Sequence, residues 1–257
     1  MLSLERQEEI LDILNRKKSV TVEELASELF VSGATIRRDL KNMEQQGLLK
    51  RSHGGAILFK PSIGEETAFA LREQENTSAK RKIANIASRL IKSGQSIFMD
   101  SSSTTGAVIP FLNNFKYLSV TTTGLRNALL LSQTNTMNIY IAGGVVLNHS
   151  NSIVGTDTVD CISKFHADLA LISCMGVDGK AGFTDASIEQ AKLKQQMRKN
   201  SQQVAVLCDS TKFGKIFMCT DLTFDEIDYL ITEKKPPENI LQALKNTKCK
   251  LLYPEMQ

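Results

Sequence analysis

Apolar positions in the first fifty residues recur at helical spacing in three short segments. Leu4, Ile10, Leu11 and Leu14 predict a helix from about Leu4 to Arg16. Thr21-Val-Glu-Glu24 reads as a capping box, in which hydroxyl and carboxylate each satisfy a free backbone donor. It opens a second helix with Leu25, Ala26 and Leu29 facing inward, and Phe30 and Val31 then form a tight apolar turn. Ser32 suits an N-cap, Ile36, Leu40 and Met43 make one apolar stripe, and Gly47 suits a left-handed C-cap. At about 100° per residue, Thr35, Arg38, Lys41 and Asn42 point away from that stripe, with Arg37 on its flank. The run from Lys50 through Arg51 and His53 to Gly55 then predicts a basic β-wing.

Beyond residue 77 the pattern changes. Short all-apolar runs at Ser96–Met99, Leu118–Thr121, Asn138–Ala142, Asp168–Ser173, Val204–Cys208, Tyr229–Thr232 and Lys250–Tyr253 alternate with helical patterns. The helical patterns fall near 78–92, 104–115, 124–133, 187–199 and 236–246. Strands apolar on both faces, alternating with helices, predict a Rossmann-like, mostly parallel α/β sheet covered on both sides. Pro61, Gly64 and a high density of charge mark the stretch between the two patterns. The expected organisation is therefore a winged helix-turn-helix domain over 1–58, a linker over 59–76 and a larger α/β domain over 77–257.

Charge sharpens the reading of the first domain. Residues 1–31 set four cations against seven carboxylates, whereas residues 32–60 set six cations against Asp39 and Glu44. Positive charge gathers on the third helix and wing, as phosphate contacts require. Arg pairs with guanine edges and Asn with adenine in a major groove. The expected partner is double-stranded operator DNA, contacted by Ser32, Thr35, Arg37, Arg38, Lys41, Asn42, Lys50, Arg51 and His53.

In parallel sheets ligands bind beyond the C-terminal strand ends, near the topological switch point. Five polar loops follow strands here: Asp100-Ser-Ser-Ser-Thr-Thr-Gly106, Thr121-Thr-Thr-Gly124, Gly143-Gly144, Gly176-Val-Asp-Gly179 and Asp209-Ser-Thr-Lys-Phe-Gly214. Each alone reads as a cap or a turn; together they predict a pocket. Hydroxyls and free amides at a helix N-terminus suit a phosphate. The expected effector site comprises Asp100, Ser101, Ser102, Ser103, Thr104, Thr105, Thr122, Gly143, Gly144, Asp178, Lys194 and Lys212.

Other classes find less support. The five cysteines are odd in number and widely spaced without a Cys-x-x-Cys pair, and the three histidines are scattered, so neither a metal nor a cofactor is expected. Cys174 and Cys208 read as small buried residues. No apolar run approaches a membrane span, and the N-terminus lacks a signal-peptide pattern, so a cytoplasmic location is expected. One recognition helix covers few base pairs, which predicts a homodimer or homotetramer assembled through residues 77–257.

The first domain resembles the DNA-binding domain of the DeoR family of bacterial regulators. The resemblance rests on Glu5-Arg6, Thr35-Ile-Arg-Arg-Asp-Leu40 and the wing Gly47…Arg51-Ser-His53-Gly-Gly55. The second resembles the DeoR sensor domain, similar in fold to ribose-5-phosphate isomerase. Its matching residues are Lys82-Ile-Ala84, Asp100 with Ser103-Thr104-Thr105, Gly143-Gly144, Gly155, Gly176-x-Asp178-Gly179, Gly182-Phe-Thr184, Lys194 with Met197, and Asp209-Ser-x-Lys212-Phe-Gly214. Ser102 stands where many members have glycine, and Thr122 where many have asparagine. The resemblance implies a repressor or activator of a sugar or nucleoside operon, controlled by a phosphorylated sugar. A second reading is a sugar-phosphate isomerase-like enzyme with an appended DNA-binding domain, drawing on Asp100, Asp178, Glu189 and Lys194 as acid–base groups. A third is a constitutive DNA binder whose α/β body serves only oligomerisation.

Overall fold

The computed structural model describes residues 3–45, 47–58, 68–134 and 137–254, and these form two compact units, Met1–Leu71 and Arg72–Gln257. In the first unit, helices α1 (Ser3–Lys17), α2 (Val22–Glu28) and α3 (Gly33–Gln45) pack with strands β1 (Ser19–Thr21), β2 (Leu49–Ser52) and β3 (Gly55–Leu58). The strands form an antiparallel sheet in the order β1-β3-β2. Ile10, Leu11, Leu14, Leu25, Leu29, Ile36, Leu40 and Met43 close one core, as their spacing predicts; the side chain of Leu4 lies outside the described residues. The capping box at Thr21–Glu24 is present in both directions. Phe30 departs from expectation: it has a left-handed backbone and is 93% exposed, while Val31 alone packs against the core.

Part of the expected linker, residues 59–67, lies outside the described residues. The rest of it contains a helix, α4 (Phe69–Gln74), in which Phe69 and Leu71 are buried. Ala68 and Leu71 join the first core, so apolar burial extends that unit into the span read as linker.

The second unit is built on a seven-stranded parallel sheet in the order β15-β14-β12-β9-β4-β5-β6. Its elements run α5 (Thr77–Ser88), β4 (Ser96–Met99), α6 (Ser103–Gly106), α7 (Ile109–Leu112), β5 (Leu118–Thr122), α8 (Leu125–Leu131) and β6 (Met137–Ile141). There follow β7 (Val145–Leu147), β8 (Ser152–Val154), α9 (Thr156–Ser163), β9 (Ala167–Ser173), β10 (Gly176–Asp178), β11 (Gly182–Asp185) and α10 (Ile188–Lys199). The chain ends with β12 (Ser201–Leu207), β13 (Cys219–Leu222), β14 (Tyr229–Ile231), α11 (Glu238–Leu244) and β15 (Lys250–Leu252). Strand alternation divides the apolar residues between two cores. Phe98, Ala170, Ile172, Val204 and Val206 face one side; Ile97, Met99, Leu169, Leu171, Ala205 and Leu207 face the other. Successive strands run outward in one direction from β4 and in the other from β9. The switch point therefore lies between these two neighbours, where the loops beyond their C-terminal ends diverge.

Candidate functional site

In the first unit the predicted DNA-contacting groups share one solvent-facing surface. Ser32 caps α3: its Oγ accepts from Thr35 N at 3.2 Å and lies 2.9 Å from Thr35 Oγ1. Arg37, Arg38, Lys41 and Asn42 are exposed, while Ile36, Leu40 and Met43 are buried behind them. On the wing, Lys50, Arg51 and His53 are exposed. Glu44 at the end of α3 accepts from Arg51 N at 2.9 Å, which fixes the wing to the recognition helix. The wing's glycines are sterically required. Gly54 has φ +84°, and a Cβ on Gly55 would fall 2.1 Å from Val20 O.

Sequence reasoning missed the role of Asp39. It is buried and faces α1, where Arg6 Nε donates to Oδ2 at 2.6 Å and Nη2 to Oδ1 at 3.2 Å. The only carboxylate among the first eleven residues of α3 is thus neutralised inside the fold, and the helix's outer face keeps its cations.

In the second unit the loop after β4 lies at the switch point. Asp100 is buried and its carboxylate is fully engaged: Oδ1 accepts from Ser102 N and Thr105 Oγ1, Oδ2 from Ser173 N. It braces the loop across the β4–β9 pair. Ser102 caps α6, Oγ accepting from Thr105 N at 3.1 Å. Thr122 Oγ1 accepts from Gly124 N at the next loop. Asn127, absent from the sequence-based set, ties the two loops by donating to Asp100 O and Ser102 O.

Two lysines meet this loop. Lys212 Nζ lies 2.9 Å from Ser173 Oγ, 3.4 Å from Thr104 Oγ1 and 3.7 Å from Asp209 Oδ2. Lys80, from α5, is buried and donates to Arg72 O, the same carbonyl that accepts from Ser103 Oγ at 3.2 Å. Burial, aided by the nearby cations Lys212 and Arg72, lowers the Lys80 ammonium to about 8 against the pull of Asp209 and Glu75. Beside them is a hydroxyl cluster. Gln190 Nε2 donates to Ser152 Oγ at 2.5 Å, and Ser152 Oγ lies 2.9 Å from Ser101 Oγ and 2.8 Å from Ser150 Oγ. Thr104 thus meets Lys212, Ser103 shares a carbonyl with Lys80, and Ser101 of the same loop meets Ser150, Ser152 and Gln190; no loop motif marks Lys80, Ser150, Ser152 or Gln190.

Other expected members lie elsewhere. Asp178 closes a turn, accepting from Lys180 N, Ala181 N and Asn239 Nδ2; those backbone donors hold its carboxyl below the usual range. Lys194 is buried in a triad with Asp185 and Asp221. Its ammonium is held charged by both carboxylates, while burial pushes Asp221 up to about 7. Gly143 is exposed, and the backbone of Gly144 approaches Thr158 and Val154. The Gly143-Gly144 constraint thus serves packing against α9: a Cβ on Gly144 would sit 2.0 Å from Thr158 Oγ1. Glu189 is exposed and accepts from Ser187 Oγ. Of the four groups an isomerase would draw on, Asp178 and Glu189 are engaged in local turns and caps, while Asp100 lies within electrostatic reach of Lys194 but has its own carboxylate taken up by the loop.

Two family models match the chain. A DeoR-like helix-turn-helix domain covers residues 6–62, and a DeoR C terminal sensor domain covers residues 75–234. The chain belongs to the DeoR family. Among curated relatives, the HTH-type transcriptional regulator GolR of Listeria innocua is 37% identical over 91% of this chain and 92% of its own. The glycerol-3-phosphate regulon repressor of Escherichia coli is 30% identical over 95% of this chain and 96% of its own. A solved ribose 5-phosphate isomerase from Methanocaldococcus jannaschii matches 54% of this chain and 55% of its own, with 17% identity and a TM-score of 0.40. This DeoR-family chain is a DNA-binding transcriptional regulator rather than an enzyme. Among the described residues no helix is long and apolar enough to cross a membrane.

Proposed function

We propose that the chain represses a carbohydrate-utilisation operon in the cytoplasm, binding operator half-sites as a symmetric homo-oligomer. A phosphorylated sugar controls that binding. The observation that carries the effector reading is the meeting of Lys80 and Lys212 at the Ser103–Thr104 hydroxyls, beyond the switch point of the sheet. Two cations held this close, one already lowered by burial, gain most from a multiply charged anion. The phosphate contacts Lys80, Lys212, Ser103 and Thr104, and the sugar hydroxyls extend toward Ser101, Ser152 and Gln190. Exposed Arg37, Arg38, Lys41 and Asn42 read the major groove, with Lys50, Arg51 and His53 on the backbone.

Fluorescence anisotropy of labelled operator, titrated with protein in the presence of sugar phosphates and their neutral parents, tests this reading. A phosphorylated member of the panel shifts operator affinity and its neutral parent does not. Equal effects from both would remove the phosphate site. No effect from any member would favour the constitutive binder.

A further inference from the structure

From Asn127 to Thr156 the chain contains no Asp, Glu, Lys or Arg, although 23% of all residues are charged. This stretch supplies most of α8, then β6 and the β7–β8 hairpin. Strand β6 ends the seven-stranded sheet, pairing with β5 on one side only among the described residues. Exposed edge strands are ordinarily protected by lysines, prolines or bulges. β6 has none of these: its sequence is Met-Asn-Ile-Tyr-Ile, and its pairing with β5 is regular. Around it, Leu129, Tyr140, Ile141, Val145 and Val146 are each at least 43% exposed. The remaining exposed large apolar residues of this unit lie in segments that carry charge: Tyr117 follows Lys116, Ile188 precedes Glu189, and Ile216 and Met218 share a short segment that opens on Lys215.

We propose that this uncharged edge is a self-association surface, occupied by the same edge of a second copy of the chain. The proposal rests on the symmetric oligomer invoked for operator binding and gives it a location. Charge is the deciding observation. In an isologous interface each residue near the twofold axis meets its own copy, so any charge there faces its like. A surface without charge is self-complementary in that respect, whereas a different partner is usually chosen by opposite charge. The open amides and carbonyls of β6 find partners in the antiparallel β6 of the second copy, which a twofold axis normal to the sheet supplies. The flanking apolar side chains lose their contact with water in the same step.

Sedimentation velocity of the full-length protein over a dilution series tests the proposal, using wild type, Val145→Lys, Ile141→Lys and a Met218→Lys control. Met218 is also highly exposed but lies outside the segment. The wild type and the control associate alike, and both edge variants require about 100-fold more protein to associate, since like charges are brought together at the axis. Circular dichroism spectra stay unchanged, and melting temperatures agree at dilutions where all four proteins are dissociated. Edge variants that associate like wild type overturn the surface while leaving the oligomer standing. A monomeric wild type overturns both. Should the variants misfold, hydrogen exchange on wild type decides. The amides of Met137–Ile141 slow as concentration rises; exchange independent of concentration rejects the proposal.

Discussion

Arg6 on α1 and Asp39 on α3 form a two-point ion pair inside the first unit, with Nε–Oδ2 at 2.6 Å and side chains 8% and 1% exposed. This pair orients the recognition helix from behind, so its outward cations stay aligned. Breaking a buried pair strands the remaining charge, at a cost of about 3–5 kcal/mol. Asp39→Ala therefore lowers the unfolding temperature of the DNA-binding unit in calorimetry and leaves the sensor unit's transition in place. An Arg6→Met/Asp39→Leu double variant recovers most of the loss. An Asp39→Ala protein with an unshifted first transition would show that the pair contributes nothing.

The helix and wing cations differ in what they report. Arg38→Ala weakens operator binding by about 1–3 kcal/mol and relaxes base preference at one position. Lys50→Ala and Arg51→Ala weaken binding to all sequences and reduce the slope of affinity against salt concentration. Competition binding against operator variants at several salt concentrations separates the two behaviours. Unchanged operator binding by an Arg37/Arg38 double alanine variant removes the assignment of α3 to the groove.

Gly55 is the tightest point of the wing. Its substitution by alanine forces β1 and β3 apart, because the new methyl would overlap Val20 O and the Cα of Thr21. Overpacking of this kind costs about 1–3 kcal/mol. Gly55→Ala is expected to lose wing-dependent affinity for every DNA sequence while effector binding persists. Full DNA affinity in this variant would mean the wing backbone gives way more easily than its geometry indicates.

Lys80 makes effector binding pH-dependent with a definite sign. Its folded value, about 8, lies below the ordinary 10.5, so the empty site loses stability as pH falls from 10.5 to about 8, and the loss is complete once the folded ammonium is charged. A bound phosphate favours the charged form, and binding therefore takes up a proton near and above pH 8. Affinity is constant between about pH 7 and 8, where the phosphate is already a dianion, and falls above 8, tending to about tenfold per pH unit. Calorimetry in buffers of different ionisation enthalpy counts the protons directly. Lys80→Met is expected to raise the melting temperature of the empty sensor at pH 7 and weaken its effector binding. Proton release on binding would contradict this assignment.

Much of the fold is legible in the chain because its strands are unusually plain. All seven runs read as strands lie in the central sheet, with ends within a few residues; burial on both faces leaves the inner strands continuously apolar, and the edge strand β6 keeps the apolar pattern although it is partly exposed. The helical pattern over 104–115 breaks into α6 and α7 around Gly106 and Pro110. Helix α9, the β7–β8 hairpin and the β10-β11-β13 sheet escape sequence reading, because their short segments mix small, polar and apolar residues without a sustained period. The site was legible in its loops and not in its helices. Ser103, Thr104 and Lys212 follow strands, where ligands gather. Lys80 and Gln190 sit within helical patterns where a polar residue ordinarily faces water, and only the tertiary fold turns them inward. Asp178 and Lys194 show the converse, since closeness to a strand end does not reveal which partners a side chain finds.

In the proposed mechanism, a phosphate on Lys80, Lys212 and the Ser103–Thr104 hydroxyls controls operator binding. The most direct measurement is operator affinity of wild type, Thr104→Val and Lys212→Ala across a series of the active sugar phosphate. In both variants operator affinity without effector is unchanged, and the effector concentration needed for half of the response rises by at least about tenfold, the loss of one charge-assisted contact. Variants that respond at the wild-type concentration would place the effector elsewhere in the protein.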